Sequence, residues 1–152
     1  MSRITRQDYF MAIAQLTALR GTCNRLQVGC VLVNDNRIAS VGYNSSVKGT
    51  AHCIDVGCLM VDGHCKRCPH AEVAAVANLT RRYPQLKAYI THQPCLDCLK
   101  LLVTANVTEI YYIKEYQSAE RNRVLDEISQ AHPNFIMQQI IPITNLLLGS
   151  SR

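Results

Sequence analysis

The sequence predicts an α/β fold with helices layered on a mixed sheet, and three observations carry that reading. Short β-branched apolar runs alternate with segments of helical period. Two of the runs adjoin across a turn, and the later ones are separated by helical stretches. The resulting order is α-β-β-α-β-α-β-α-β. No internal repeat or linker interrupts it, so residues 1–152 are read as one domain.

Thr5 to Leu19 carries Tyr9, Ile13, Leu16 and Leu19 at helical spacing, with Thr5 and Asp8 placed to cap its start. Val28 to Val33 and Ile38 to Tyr43 flank Asn34-Asp35-Asn36-Arg37, the composition of a β-hairpin. Asn44 to Pro69 shows no clear period and holds most of a cysteine cluster, so it reads as a long irregular segment. A segment of that length needs a source of order other than a core, and metal ligation supplies one. His70-Ala71-Glu72 then opens an Ala-rich helix running to about Arg82. Leu86 to His92 reads as a strand, Pro94 to Ala105 as a helix, and Glu109 to Lys114 as a strand. Ala119 to Ala131, with Val124, Leu125 and Ile128, reads as a helix, and Phe135 to Ile141 as a last, edge strand.

Apolar residues make up 48% and charged residues 18%, which excludes a disordered or fibrous chain. A chain of this size buries roughly 70% of its unfolded surface, enough for one core without covalent staples. Sixteen Lys and Arg against eleven Asp and Glu leave a net charge of +5. That suits an anionic ligand such as a nucleotide and falls short of a nucleic-acid-binding surface. A membrane role is not expected. Met1 to Arg6 leads into a polar amphipathic stretch, and the apolar Ile140 to Leu148 is interrupted by Pro142 and Asn145.

Eight cysteines are many for this length, and they fall into three sets: Cys23 and Cys30; Cys53, Cys58, Cys65 and Cys68; Cys95 and Cys98. Four of the five histidines (His52, His64, His70 and His92) lie in or near the last two sets. Without a signal core the expected compartment is a reducing cytoplasm, where clustered thiols serve as metal ligands more than as disulfides. Sulfur mixed with imidazole is the donor set that zinc prefers.

Two fragments carry chemistry: His70-Ala71-Glu72 and Pro94-Cys95-Leu96-Asp97-Cys98. Both sit at predicted helix starts, where unsatisfied N–H groups favour thiolate over thiol. His70, Cys95 and Cys98 make three ligands and leave zinc an open fourth position for water, which loses its proton near neutral pH. Glu72, two residues past the histidine, is placed to move protons without ligating. Taken alone, Cys-x-x-Cys fits a redox dithiol and His-x-Glu fits a capping glutamate. Together and in this order they form the signature of zinc nucleobase deaminases. A closed structural zinc site has no use for such a carboxylate.

On these residues the chain resembles the deoxycytidylate (dCMP) deaminases of the cytidine deaminase-like superfamily, and among them the late-competence ComE-operon group. The likeness runs from about Tyr9 to about Tyr116. It rests on Thr22-Cys23-Asn24-Arg25-Leu26-Gln27-Val28-Gly29, Gly42-Tyr43-Asn44, Asp62-Gly63-His64-Cys65, His70-Ala71-Glu72 and Pro94-Cys95-x-x-Cys98. It implies a three-layer α/β/α fold with a five-stranded mixed sheet, and hydrolysis of dCMP to dUMP and ammonia. It also implies a homo-oligomer, often a hexamer, and in some members regulation by dCTP and dTTP. By matching position, Asn44 would bind the deoxyribose and Arg25 the 5′-phosphate, while Ala71 and Tyr116 would complete the substrate site. Asn offers a donor and an acceptor to a hydroxyl, and Arg grips phosphate bidentately.

Some relatives carry a second, structural zinc, and the matching positions here are Cys23, Cys53, His64 and Cys68. Spacing leaves Cys58 or Cys65 free to replace one of them, and buried free thiols are the plainer reading of the same residues. The chain departs from the family at Ser45 and Ser46, where Gly commonly follows Gly-Tyr-Asn, and at Cys68, where Thr is common. Two other readings compete. One is deamination of another cytosine nucleotide, a nucleoside, a free base or a tRNA base. The other is a non-catalytic zinc-stabilised binding protein, against which the intact Glu72 argues.

Overall fold

The computed structural model describes residues 3–142, so most of the apolar 140–148 stretch lies outside the described residues. In chain order the elements are α1 (Arg6–Ala18), β1 (Gly29–Asn34), β2 (Arg37–Tyr43), α2 (Cys53–Val56), β3 (Met60–Val61) and β4 (His64–Cys65). They continue with α3 (Ala71–Ala77), β5 (Leu86–His92), α4 (Leu96–Thr104), β6 (Val107–Lys114), α5 (Ala119–Ala131) and β7 (Ile136–Gln139). The main sheet has five strands in the order β2-β1-β5-β6-β7. β1 runs antiparallel to both β2 and β5, whereas β5, β6 and β7 are parallel, so the sheet is mixed as expected.

Side-chain alternation divides the core in two. On one face Val31 and Val33 of β1, Tyr89 and Tyr111 meet Phe10, Met11 and Ala14 of α1. On the other Cys30, Leu32, Ala88, Ile90 and Ile110 meet Ala71 and Ala75 of α3 and Leu99 and Leu102 of α4, with Leu125 and Ile128 of α5 packed at the margin. Covered on both sides, β1 reads as a continuous apolar run. The hairpin forms because Asp35 and Asn36 take φ of 48° and 60°, the left-handed pair that a tight turn between twisted strands requires. No helix among the described residues is long and apolar enough to cross a membrane.

Three readings change. The Thr5 hydroxyl does cap α1, accepting from the Asp8 N–H at 3.0 Å, but the buried stripe is Phe10, Met11, Ala14 and Ala18. Tyr9, Leu16 and Leu19 are exposed. Close approach decides this: a Cβ on Gly29 would collide with the Ala14 carbonyl, so α1 meets β1 along Ala14 and Ala18, which buries Phe10 and Met11 on the same side and turns Tyr9, Leu16 and Leu19 outward. The helix predicted to Arg82 stops at Ala77. Beyond it the Asn78 amide donates to the Val41 carbonyl and the Arg82 guanidinium to the Thr104 carbonyl, and Pro84 disfavours helix before it. Finally, Asn44 to Pro69 contains α2 and a two-stranded β3-β4 hairpin that turns at Asp62-Gly63.

Gly42 fixes the seat of α3. A Cβ there would meet the Ala71 carbonyl and the Ala75 backbone, so β2 and the helix that follows His70 touch main chain to main chain. Gly42→Val should therefore lose on the order of 3 kcal/mol of unfolding free energy, read from the urea midpoint by circular dichroism. An unchanged midpoint would show that α3 is not seated this closely.

Candidate active site

The topology brings one end of the sheet together. β5 and β6 end at His92 and Lys114, β2 ends at Tyr43, and β1, running opposite, begins at Gly29 beside them. In open α/β sheets ligands collect beyond the carboxyl ends of strands, and the pocket lies at that end. Its lining includes Arg25, Asn44, Glu72, His92, Glu115 and Tyr116.

His70 is the N-cap residue of α3 and Cys95 that of α4; both have extended backbone, and neither side chain caps its own helix. Those side chains are thus free for another task. His70 Nδ1 lies 3.3 Å from Cys98 Sγ and 3.7 Å from Cys95 Sγ. A tetrahedral zinc with Zn–S ~2.3 Å and Zn–N ~2.0 Å places its donors roughly 3.5–3.8 Å apart. The donor set and its spacing fit zinc. Ala71, between His70 and Glu72 in the chain, is buried and lines the same pocket.

Glu72, one residue into α3, is 5% exposed. Burial pushes its carboxyl up from the usual carboxylate range, partly offset by a backbone N–H, the His70 charge and the Cys98 thiol beside it. A hydrogen bond from Cys98, with a further one from His70, pulls the Cys95 thiol down to about 4, while Cys98 is pushed up. The site favours a thiolate at Cys95 even before any cation adds its charge.

Asn44 is buried, and its amide is already bonded: Nδ2 donates to the Leu26 carbonyl at 2.6 Å and Oδ1 accepts from the Val28 N–H at 2.8 Å. It therefore locks the 24–28 loop to the end of β2, with one donor hydrogen left over. Arg25 stands exposed on that loop at the pocket rim, and Tyr116 forms the opposite edge, 37% exposed.

The second cysteine set gathers differently from the four positions matched by resemblance. The thiols of Cys23, Cys53, Cys58 and Cys65 all lie within 4.8 Å of one another, and His64 is not among them. Successive side chains on a strand point to opposite faces, so when Cys65 turns into the cluster, His64 turns out and stands exposed at the pocket. Cys23 and Cys58 are 3.7 Å apart and Cys53 and Cys65 3.6 Å, again tetrahedral edge lengths. Cys68 sits at the margin, 3.5 Å from Cys53 and 3.7 Å from the Ser46 hydroxyl. Burial raises the Cys65 thiol, but N–H donation from Arg67 and Cys68 outweighs it and brings it to about 6. Cys30, remote in β1, is fully buried as a small apolar residue.

His92, noted in the sequence only as one of the histidines near the cysteines, lines the pocket, and sequence reasoning missed Gln93 and Glu115, whose only sign was their adjacency to Pro94 and Tyr116. It also missed Arg121, buried behind both loops, although Arg121, Leu125 and Ile128 share one helical face.

Residues 4–114 match the family model of the cytidine and deoxycytidylate deaminase zinc-binding region. The chain is 42% identical over 121 residues to ComE operon protein 2 of Bacillus subtilis, covering 78% of this chain and 64% of that protein. It is 32% identical over 127 residues to a deoxycytidylate deaminase of Mycobacterium phage D29, covering 76% of this chain and 99% of the phage protein. The yeast deoxycytidylate deaminase is 32% identical over 130 residues, with 80% of this chain covered but only 42% of the yeast protein. Among solved structures, the cyanophage S-TIM5 dCMP deaminase in complex with dCMP and dUMP superposes with a TM-score of 0.75 at 24% identity. That likeness covers 92% of this chain and all of the phage chain, and it shows the fold. With the zinc-ligand trio, the buried glutamate and the matched region in agreement, the chain belongs to the cytidine and deoxycytidylate deaminase zinc-binding family.

Proposed function

We propose that the chain is a zinc-dependent dCMP deaminase that converts dCMP and water to dUMP and ammonia. The observation that carries this reading is the buried Glu72 beside, and outside, a histidine and two cysteines spaced for one zinc. A structural site closes with four ligands, whereas here three protein donors converge and an acid-base carboxyl stands next to them. Zinc, when bound, would supply Lewis acidity and an open position at which water becomes acidic.

The chain's own residues do the rest. Glu72, desolvated and so readily protonated, takes a proton from the attacking water and delivers it to the pyrimidine N3. It then takes the second water proton from the hydroxyl newly attached at C4 and gives it to the 4-amino nitrogen as the C4–N bond breaks, so that Glu72 ends as it began. Asn44 presents its remaining donor to the sugar, and Arg25 at the rim receives the 5′-phosphate. Tyr116 covers the opposite edge, where an aromatic face suits a base. Ala71, whose side chain is a single methyl group, leaves room for substrate to approach the trio.

We assign a second, structural zinc to Cys23, Cys53, Cys58 and Cys65, replacing the set with His64 and Cys68 expected from resemblance. The reading extends to a homo-oligomer in a reducing cytoplasm, supported by the exposed Leu16 and Leu19 of α1 and by eight cysteines of which none is paired in a disulfide. Regulation by dCTP or dTTP and the hexameric count rest on the family resemblance.

Glu72→Gln should lower kcat for ammonia release from dCMP by about 10³-fold while zinc per chain stays unchanged. Turnover within tenfold of the parent enzyme would remove the proton-carrying role. Arg25→Ala should raise KM for dCMP by about tenfold or more and leave deoxycytidine, which has no phosphate, unaffected; equal effects on both would cancel the phosphate assignment. Elemental analysis separates the two ligand sets: Cys58→Ser should lose one zinc per chain and His64→Ala none. The reverse result would restore the histidine-containing set.

A further inference from the structure

Arg121, in the first turn of α5, is 2% exposed, and no carboxylate pairs with it among the described residues. A buried guanidinium is costly unless its donors are satisfied, so where its hydrogen bonds go is informative. One nitrogen, Nη1, donates to the Pro94 carbonyl at 3.1 Å and to the Tyr116 carbonyl at 2.6 Å. Nη2 and Nε donate to Asn122 Oδ1 at 3.0 and 3.3 Å. The Ser118 hydroxyl fixes the root of the side chain, accepting from the Arg121 N–H at 3.1 Å.

Both carbonyls belong to the pocket. Pro94 immediately precedes Cys95, so its carbonyl shares a peptide unit with a metal-site residue, and holding that carbonyl holds the start of α4. Tyr116 forms the far rim. The two loops that carry them follow the parallel neighbours β5 and β6. Two lesser ties also join them: Gln93 N–H to the Lys114 carbonyl at 2.8 Å, and Tyr116 N–H to Gln93 Oε1 at 3.2 Å. Among the described residues, Arg121 is the one side chain from outside these loops that hydrogen-bonds to both.

We propose that Arg121 is a positioning residue that clamps the Cys95 loop and the Tyr116 loop in a single frame, so that metal retention and substrate fit are set together. The proposal rests on the deaminase reading for its kinetic arm. The clamp is built from a fork geometry, and a lysine ammonium, a single point donor, reproduces it in part. A volume-matched apolar side chain does not reproduce it at all.

The test uses the full zinc-loaded chain with Arg121→Met and Arg121→Lys. Three readouts are needed: KM and kcat on dCMP, the rate of zinc release to a chromogenic chelator, and the thermal midpoint. A shift of the loops by an ångström would raise KM for dCMP by about tenfold or more, more than it lowers kcat, and would speed zinc release in Arg121→Met, with Arg121→Lys between it and the parent. Parent-like KM and zinc release in a folded Arg121→Met protein overturn the proposal, as does a lowered midpoint with both constants unchanged. If Arg121→Met does not fold, a folded Arg121→Lys with parent-like values overturns it alone. Should the parent chain leave dCMP untouched, the deaminase reading fails, and the zinc-release comparison still decides the role of Arg121.

Discussion

Two helix starts must meet at a distance set by metal–ligand bond lengths, and most of the architecture serves that convergence. α3 and α4 bring His70 and Cys95 forward as N-cap residues, and Cys98 sits one turn into α4 facing them. α3 reaches this position only because Gly42 lets its backbone rest on β2. α4 reaches it because the chain leaves β5 at His92 and turns at once through Gln93 and Pro94. An offset of an ångström at either helix would take the donors out of tetrahedral reach. That end of the sheet, where parallel strands stop and helices begin, is also where the pocket opens.

The electrostatics of the pocket follow from burial beside soft donors. Burial pushes the Glu72 carboxyl up from the usual carboxylate range, while Cys95, receiving hydrogen bonds, is stabilised as an anion. Neighbouring groups are thereby pushed toward opposite protonation states, which is the division of labour that acid–base chemistry beside a metal centre requires. The thiol cluster forms another wall of the same pocket, with Cys23 and Cys65 in its lining. It anchors α2 and the β3-β4 hairpin, which bury little else, so the order of the 44–69 segment comes from sulfur where a hydrocarbon core is lacking.

Element type was legible wherever the local signal and the tertiary demand agreed. The hairpin is the clearest case, because Asp35-Asn36 tolerates the left-handed backbone that the turn needs. The helix at 119–131 matched in both bounds, since Ser118 caps it locally. Helix α1 was found but its face misjudged. Tyr9, Leu16 and Leu19 looked like the core side, yet close packing on Gly29 selected the face of Ala14 and Ala18, which carries Phe10 and Met11. α3 was read too long because its end is enforced by Asn78 and Arg82 reaching partners far away in sequence.

The sequence by itself determined the α/β class, the helix-borne His-x-Glu and Cys-x-x-Cys fragments, and a surplus of thiols beyond one zinc. These are properties of residue type and short spacing, and local chemistry dictates them. Tertiary structure alone decided which four thiols converge, that His64 turns away from them, and that a buried arginine ties the loops of Cys95 and Tyr116 together. Each of those depends on the direction in which a side chain leaves its strand or helix once the sheet is assembled. Spacing along a chain does not encode that direction across a loop of unknown path.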